Sequence, residues 1–218
     1  LTNEIENYPG FESVAGYELA DKMEAQVRKY PVTIEYASVE KFRKGKDGTF
    51  TVSLDDGQEL HGRTLIVTAG KRNRTLDIDG EARLTGRGVS YCATCDAPFY
   101  RNKVTAVVGG GDSAVQAAME LAAIGTKVYL LVRSRIRASE ILVNRLNKLP
   151  NVEVMIGYSP VRITGDKKVD GVDIRNNSSG EESHIEVDGL FVEAGGIPNN
   201  AYLPEEVAVN GKGEILTD

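Results

Sequence analysis

The chain has 218 residues, 41% hydrophobic and 27% charged, with a formal net charge of −6. That length supports one large domain or two small ones, each with its own core. The acidic balance and the absence of a basic stripe with interleaved aromatics argue against a nucleic-acid partner, and no apolar run approaches the roughly 20 residues that span a bilayer.

The N-terminal third reads as helix then strands. Leu19, Met23, Val27 and Tyr30 fall at i, i+4, i+8 and i+11, an amphipathic-helix stripe over 16–30 that Pro31 closes. Residues 32–36, 37–42, 49–54 and 64–68 read as strands, with turns at 45–48 and 55–57. Residues 71–88 are charged and glycine-containing, which suits a linker between domains. Then comes a βαβ pattern: an apolar strand at 104–108, a helix over 112–124 with small and apolar residues nearly all round, Gly125 as its cap, and a strand at 127–132. Short strands are expected at 152–156, 160–164, 169–175, 183–187 and 190–194, with a turn at 176–180. His61 lies at a strand edge with no acid–base partner in view, and His184 in a polar turn-to-strand segment; both read as surface residues.

Both cysteines of the chain lie in Cys92-Ala93-Thr94-Cys95-Asp96. A C-x-x-C pair reads as a redox dithiol or as half of a zinc site. Zinc takes four nitrogen or sulfur ligands, and His61 and His184 are far away in sequence, so one chain lacks the ligands. Two buried inert thiols are the plain alternative, since cysteine is often buried. The adjacent acid and the nucleotide motif that follows favour the redox reading. Asp96 is the candidate acid–base residue beside a thiolate. Two cysteines in a chain this long do not make a secreted disulfide framework, so a cytoplasmic protein with one working dithiol is expected.

The turn Gly109-Gly110-Gly111-Asp112-Ser113-Ala114 follows a strand and opens a helix, the context that a dinucleotide fingerprint requires. Gly109 permits the tight turn, Gly111 lets backbone approach a pyrophosphate, and Ala114 allows close helix–strand packing. A plain tight βα turn is the alternative. The second strand ends in Leu131-Val132-Arg133-Ser134-Arg135-Ile136-Arg137, with three arginines and no acid. An acid there would hold a ribose hydroxyl; arginine favours a 2′-phosphate, which points to NADPH rather than NADH. A solvated basic edge is the alternative reading.

These residues resemble the low-molecular-weight thioredoxin reductases. The resemblance runs through Ile5-Glu6-Asn7-Tyr8-Pro9-Gly10-Phe11, Val67-Thr68-Ala69-Gly70, the specific segment Gly86-Arg87-Gly88-Val89-Ser90-Tyr91-Cys92-Ala93-Thr94-Cys95-Asp96, the glycine turn, and Gly195-Gly196-Ile197-Pro198-Asn199. It implies an α/β fold of two Rossmann-like, three-layer ββα nucleotide-binding domains. The FAD domain is incomplete (1–74 and 196–218), and the NADPH domain that carries the dithiol (75–195) is inserted within it. The family's first glycine-rich FAD turn and its closing Gly-Asp segment fall outside these residues, so the resemblance is to an interior fragment, inactive on its own.

The same resemblance implies FAD and NADPH as cofactors and a thioredoxin disulfide as substrate. Asn7, Thr68, Ala69 and Gly70 match positions that contact FAD, and Gly196 and Ile197 match the second crossing between domains. Gly109 to Ala114, with Arg133 and Arg137, match the NADPH site. Cys95 matches the sulfur that faces the flavin, Cys92 the sulfur that attacks the protein substrate, Asp96 the acid–base residue, and Arg87 a docking position. The implied domain motion would hinge at 71–76 and 195–199. A homodimer is implied for the full-length enzyme, with no membrane or nucleic-acid partner. The family's phosphate segment reads His-Arg-Arg and then a further Arg. Here Val132-Arg133-Ser134 keeps one arginine of the pair, which leaves room for NADH or another donor. The alternative function is a related flavoprotein disulfide reductase with another donor or protein substrate, such as the reductase of a peroxidase system.

Overall fold

The computed structural model describes Ile5 and residues 8–217. Contacts divide the chain into two compact units. One joins the described residues up to Ala20 with Asn73–Gly195; the other joins Asp21–Arg72 with the residues from Gly196 onward.

The first helix, α1 (Gly16–Val27), forms where the apolar stripe places it, but no residue in it is buried. After it Arg28 pairs with Glu24 at 2.6 Å and donates to the Tyr36 hydroxyl at 3.1 Å. Strands β1 (Val39–Lys44), β2 (Phe50–Leu54) and β3 (Glu59–Gly62) form an antiparallel sheet in the order β1-β2-β3. Phe42 packs its ring at 6.4 Å from Phe50 and 6.2 Å from Tyr202, and Leu54 is buried. Two expected strands, 32–36 and 64–68, are not strands. Their β-branched residues favour extended chain, but a strand also needs a ladder partner, and neither segment has one among the described residues. In contrast β3 is recruited by its turn: Gly57 N donates to Leu54 O at 3.1 Å and Leu54 N to Gln58 O at 2.9 Å. The crossing strand β4 (Lys71–Asn73) pairs with a late strand described below.

The segment read as a linker is partly core. It holds α2 (Glu81–Leu84), in which Leu84 is fully buried. The buried Glu81 carboxylate accepts from Leu76 N (2.9 Å), Asp77 N (2.8 Å) and the Tyr91 hydroxyl (2.7 Å). An acid taken out of water needs such donors, and it finds three here. Burial first, then the Glu81 hydrogen bond, push the Tyr91 phenol up to about 12.

The chain then runs through β5 (Val89–Ser90), α3 (Ala93–Asp96), a 3₁₀ turn (Ala97–Tyr100), β6 (Val104–Val108), α4 (Asp112–Ala122), β7 (Lys127–Val132), α5 (Glu140–Leu146) and β8 (Val152–Ile156). It continues through β9 (Tyr158–Thr164), β10 (Gly171–Asn176), β11 (Glu182–Glu186), β12 (Gly189–Val192) and β13 (Gly196–Pro198), the partner of β4. The centre is a five-stranded, wholly parallel sheet in the order β5-β12-β6-β7-β8. Alternate residues of each strand feed two cores. Val107, Val128, Leu130, Val132 and Phe191 meet α4 through Ala114, Val115, Ala118 and Leu121. Ala106, Val108, Leu131 and Leu190 meet Ile163, Val172 and Ile174 of the antiparallel sheet β11-β10-β9. The result is a three-layer ββα unit of Rossmann type, its inner parallel strands β12, β6 and β7 largely buried on both faces.

The helix read over 112–124 ends at Ala122, and Gly125 N closes it on Leu121 O at 2.7 Å. Gly189 lets the Tyr100 ring sit edge-on to Phe191, 5.0 Å between centroids. On the antiparallel sheet, Asp173 faces Arg162 and His184 across the two neighbouring strands. His184 thus has the carboxylate partner that the sequence did not show: Nδ1 lies 2.7 Å from Asp173 Oδ1, and Arg162 Nε donates to Oδ2 at 2.8 Å.

A methyl group at Gly189 would overlap the Tyr100 ring. Gly189→Ala is therefore expected to cost about 1–3 kcal/mol in thermal denaturation; an unchanged midpoint would show that the ring is not fixed there. The hydrogen bond to His184, and then Arg162, hold the Asp173 carboxyl below the usual carboxylate range. A carboxyl lowered in the folded state stabilises above its unfolded value of about 3.9 and loses that contribution as pH falls through the folded value. Asp173→Asn is expected to cost up to about 1 kcal/mol at pH 7 and progressively less below pH of about 4. A loss that does not shrink in acid would contradict this origin.

Candidate active site

Cys92 and Cys95 form a disulfide, their Cα atoms 5.3 Å apart. Strand β5 delivers Cys92 to the start of α3, where its sulfur accepts Cys95 N at 3.2 Å. The buried Ser90 hydroxyl grips the same residue twice: it accepts Cys92 N at 3.1 Å and donates to Cys92 O at 3.2 Å. Ala93 and Ala97 anchor the turn in the α4 core. Between the cysteines, Thr94 Oγ1 donates to Glu120 Oε2 of α4 at 3.2 Å. Cys95 is exposed, whereas Cys92 and Asp96 are half-buried. Asp96 N donates to Cys92 O at 3.2 Å, so the acid follows the disulfide directly. Burial, then Asp96 and Asp188, raise the Tyr100 phenol.

The glycine turn joins β6 to α4. Gly109 adopts φ 152°. A Cβ there would overlap the Glu193 carbonyl and lie 2.8 Å from Ala114 Cβ, so this glycine and Ala114 together let the helix come close. Gly110 is buried, with Arg135 O and Val132 Cγ1 each 3.0 Å from where its Cβ would be. A Cβ on Gly111 would meet nothing within 4 Å. No side chain caps α4 at this end. Open space, uncapped N–H groups and the positive end of the helix dipole fit the pyrophosphate of a dinucleotide. Asp112 and Ser113 are exposed in the first turn.

Arg133, Arg135 and Arg137 are all exposed, and none has an acidic partner among the described residues. Their loop is folded onto the turn: Arg137 N donates to Gly110 O at 2.6 Å and Ser139 N to Asp112 Oδ1 at 2.7 Å.

Three contributors were not singled out from the sequence: Ser90, which lies in the Gly86–Asp96 segment without a role assigned to it, and Glu120 and Glu193, which no motif marks. Glu193 follows β12, its N–H on Val108 O at 2.8 Å. Burial pushes its carboxyl up, partly offset by a hydrogen bond with the Ser113 side chain. The signal available was a single acid closing the apolar run Gly189-Leu190-Phe191-Val192.

The residues matched to a flavin site lie in the other unit, save Asn7, which is outside the described residues. Thr68, Ala69 and Gly70 are exposed, outside any strand, and clamped by Asn199, whose Nδ2 donates to Ala69 O and whose N donates to Gly70 O, both at 3.0 Å. Gly70 has φ 64° and no atom within 4 Å of where a Cβ would stand, so a ligand has room to approach its backbone. Gly196 and Ile197 sit half-buried on β13. Among the described residues no cluster of His, Cys, Asp and Glu suits a metal ion, and no helix is long and apolar enough to cross a membrane.

Comparison with known proteins agrees with this geometry. The chain is 36% identical over 218 residues to the NADH dehydrogenase of Bacillus subtilis, and 35% identical over 221 residues to an alkyl hydroperoxide reductase chain of Xanthomonas campestris. Each alignment takes in all of this chain, which spans 43% and 42% of those proteins' lengths. Among solved structures, thioredoxin reductase from Lactococcus lactis superposes with a TM-score of 0.92 at 34% identity, over the whole chain and 72% of that protein. Thioredoxin reductase from T. acidophilum gives 0.88 at 30% identity, over 71% of that protein. The profile of the pyridine nucleotide-disulphide oxidoreductases matches residues 1–218, and the chain belongs to that family.

Proposed function

We propose that this chain carries the dinucleotide site and redox disulfide of a flavoprotein that passes electrons from NADPH, through FAD, to the disulfide of a thioredoxin. The observation that carries the reading is that one unit holds both stations, with the dithiol turn bonded to the nucleotide helix through Thr94 and Glu120. A dithiol fastened to a dinucleotide-binding helix suits a protein that reduces disulfides at a nicotinamide's expense.

The roles follow from the residues. The first turn of α4 and the open side of Gly111 would hold the pyrophosphate, and Arg133 and Arg137 the adenosine 2′-phosphate. Thr68, Ala69 and Gly70, with Gly196 and Ile197, would hold the flavin. A bound flavin supplies two-electron relay between a nicotinamide and the Cys92–Cys95 disulfide. Once that disulfide is reduced, the Cys92 thiolate attacks one sulfur of the substrate disulfide and the other sulfur leaves as a thiolate. Cys95 then attacks Cys92 Sγ, which restores the intramolecular disulfide and releases the second substrate sulfur. Asp96 would hold and return the proton that the leaving sulfur takes up. The hydrogen bond from Cys95 N favours a charged Cys92 sulfur, which supports its role as the attacking thiolate. We place the protein in the cytoplasm, where such a dithiol turns over, and infer a homodimer for the complete enzyme.

A second reading has its own support. The similarity to an alkyl hydroperoxide reductase chain and to an NADH dehydrogenase, with Ser134 where the thioredoxin reductase pattern has a second arginine, fits an NADH-fed reductase of a peroxidase.

One measurement separates these readings, and a second tests the dithiol that both require. In anaerobic titration of the holoenzyme, NADPH should bleach the flavin band near stoichiometry, and Arg133→Ala should raise the KM for NADPH about tenfold or more while leaving NADH little changed. Efficient bleaching by NADH alone would support the peroxidase reductase. Cys92→Ser and Cys95→Ser should each abolish reduction of thioredoxin while dinucleotide binding persists. Turnover retained in Cys92→Ser would rule out the dithiol as the working centre.

A further inference from the structure

The arginine loop carries three cations in five residues with no carboxylate partner among the described residues. Left free, its side chains would repel one another and splay. The structure ties the loop at both ends. Its far end is bound to the glycine turn by Arg137 N and Ser139 N. Its near end is held by a residue 44 positions away: Asn177 Nδ2 donates to the carbonyl oxygen of Arg133 at 2.8 Å.

Asn177 sits on the tip of the β10–β11 hairpin, and that tip is itself built to stay in place. Asn177 N donates to Gly157 O at 2.7 Å, and Gly157 N donates to Val132 O at 2.8 Å. Gly157 makes this possible at φ 87°, a region that residues with a side chain rarely adopt. The tip is pre-shaped by Asn176 Oδ1, which accepts Ser178 N at 2.9 Å and Ser179 N at 3.1 Å. Asn177 is exposed, so the core does not depend on its side chain. Its amide instead fixes the backbone from which the first guanidinium of the loop departs.

We propose that Asn177 is a positioning residue for the adenosine end of the dinucleotide. By holding the Arg133 carbonyl, it pre-aims the guanidinium and so sets the preference for a 2′-phosphorylated nucleotide. The inference rests on the NADPH reading above. A loop already ordered before binding loses less freedom when it engages a phosphate. The benefit falls on ligands that touch Arg133 and not on those that end at a free ribose hydroxyl. A merely structural role would affect both alike.

The test is calorimetric titration of the holoenzyme with 2′,5′-ADP and with 5′-ADP, on wild type and Asn177→Ala, with Arg133→Ala as the reference for complete loss. Wild type should bind 2′,5′-ADP more tightly. Asn177→Ala should weaken 2′,5′-ADP about three- to tenfold, the worth of one hydrogen bond, and leave 5′-ADP unchanged. An Asn177→Ala protein that keeps the wild-type preference, or that loses both probes equally, overturns the inference while the NADPH reading stands. A wild type that binds both probes alike overturns the 2′-phosphate reading and this inference with it.

Discussion

The close approach of α4 to the parallel sheet is the constraint on which the rest of the first unit depends. It is possible because Gly109 has no side chain and Ala114 has a single methyl, so turn and helix meet where any larger pair would collide. Ala117, Ala118 and Ala122 continue the small face along the helix. Because α4 sits this low, its first residue reaches the arginine loop through Asp112, its uncapped start opens beside Gly111, and Glu120 reaches the dithiol turn. One helix therefore fixes three parts of the site. Widening its seat by a methyl group would move all three together.

The unit treats the buried Glu81 and the half-buried Glu193 in two ways. Glu81 is saturated: two N–H groups and a phenol surround it, and it pins the residues before α2 to the strand that leads to Cys92. Glu193 has fewer partners, and burial raises its carboxyl accordingly. The first arrangement is structural, since every oxygen is occupied. The second leaves a titratable group beside the Gly109–Ala114 turn.

What could be read from the sequence follows from which signals are local. Strands β6 and β7 were legible because inner parallel strands appear as largely apolar runs, the edge strand β8 from its alternation around Glu153, and α4 from its small residues between Gly109 and Gly125. The dithiol and the glycine turn were legible because their chemistry lies in adjacent residues. What failed was whatever needed a distant partner. Residues 32–36 and 64–68 have the composition of strands but no neighbour to pair with among the described residues. The short helices α2, α3 and α5 are too brief to show a period. Glu120 and Asn177 stand 26 and 44 residues from the groups they hold, and no spacing rule reaches that far. The burial of Glu81 was hidden because charge in a glycine-containing stretch ordinarily signals solvent.

The Thr94–Glu120 bond, with Ala93 and Ala97 seated in the same core as α4, ties the sulfur pair and the nucleotide turn to one helix. Their spacing is then set by the packing of that helix. A spin label or fluorophore on an exposed position of α4, such as Gln116, would report the location of the redox centre as faithfully as one placed on the disulfide, and would leave both sulfurs untouched.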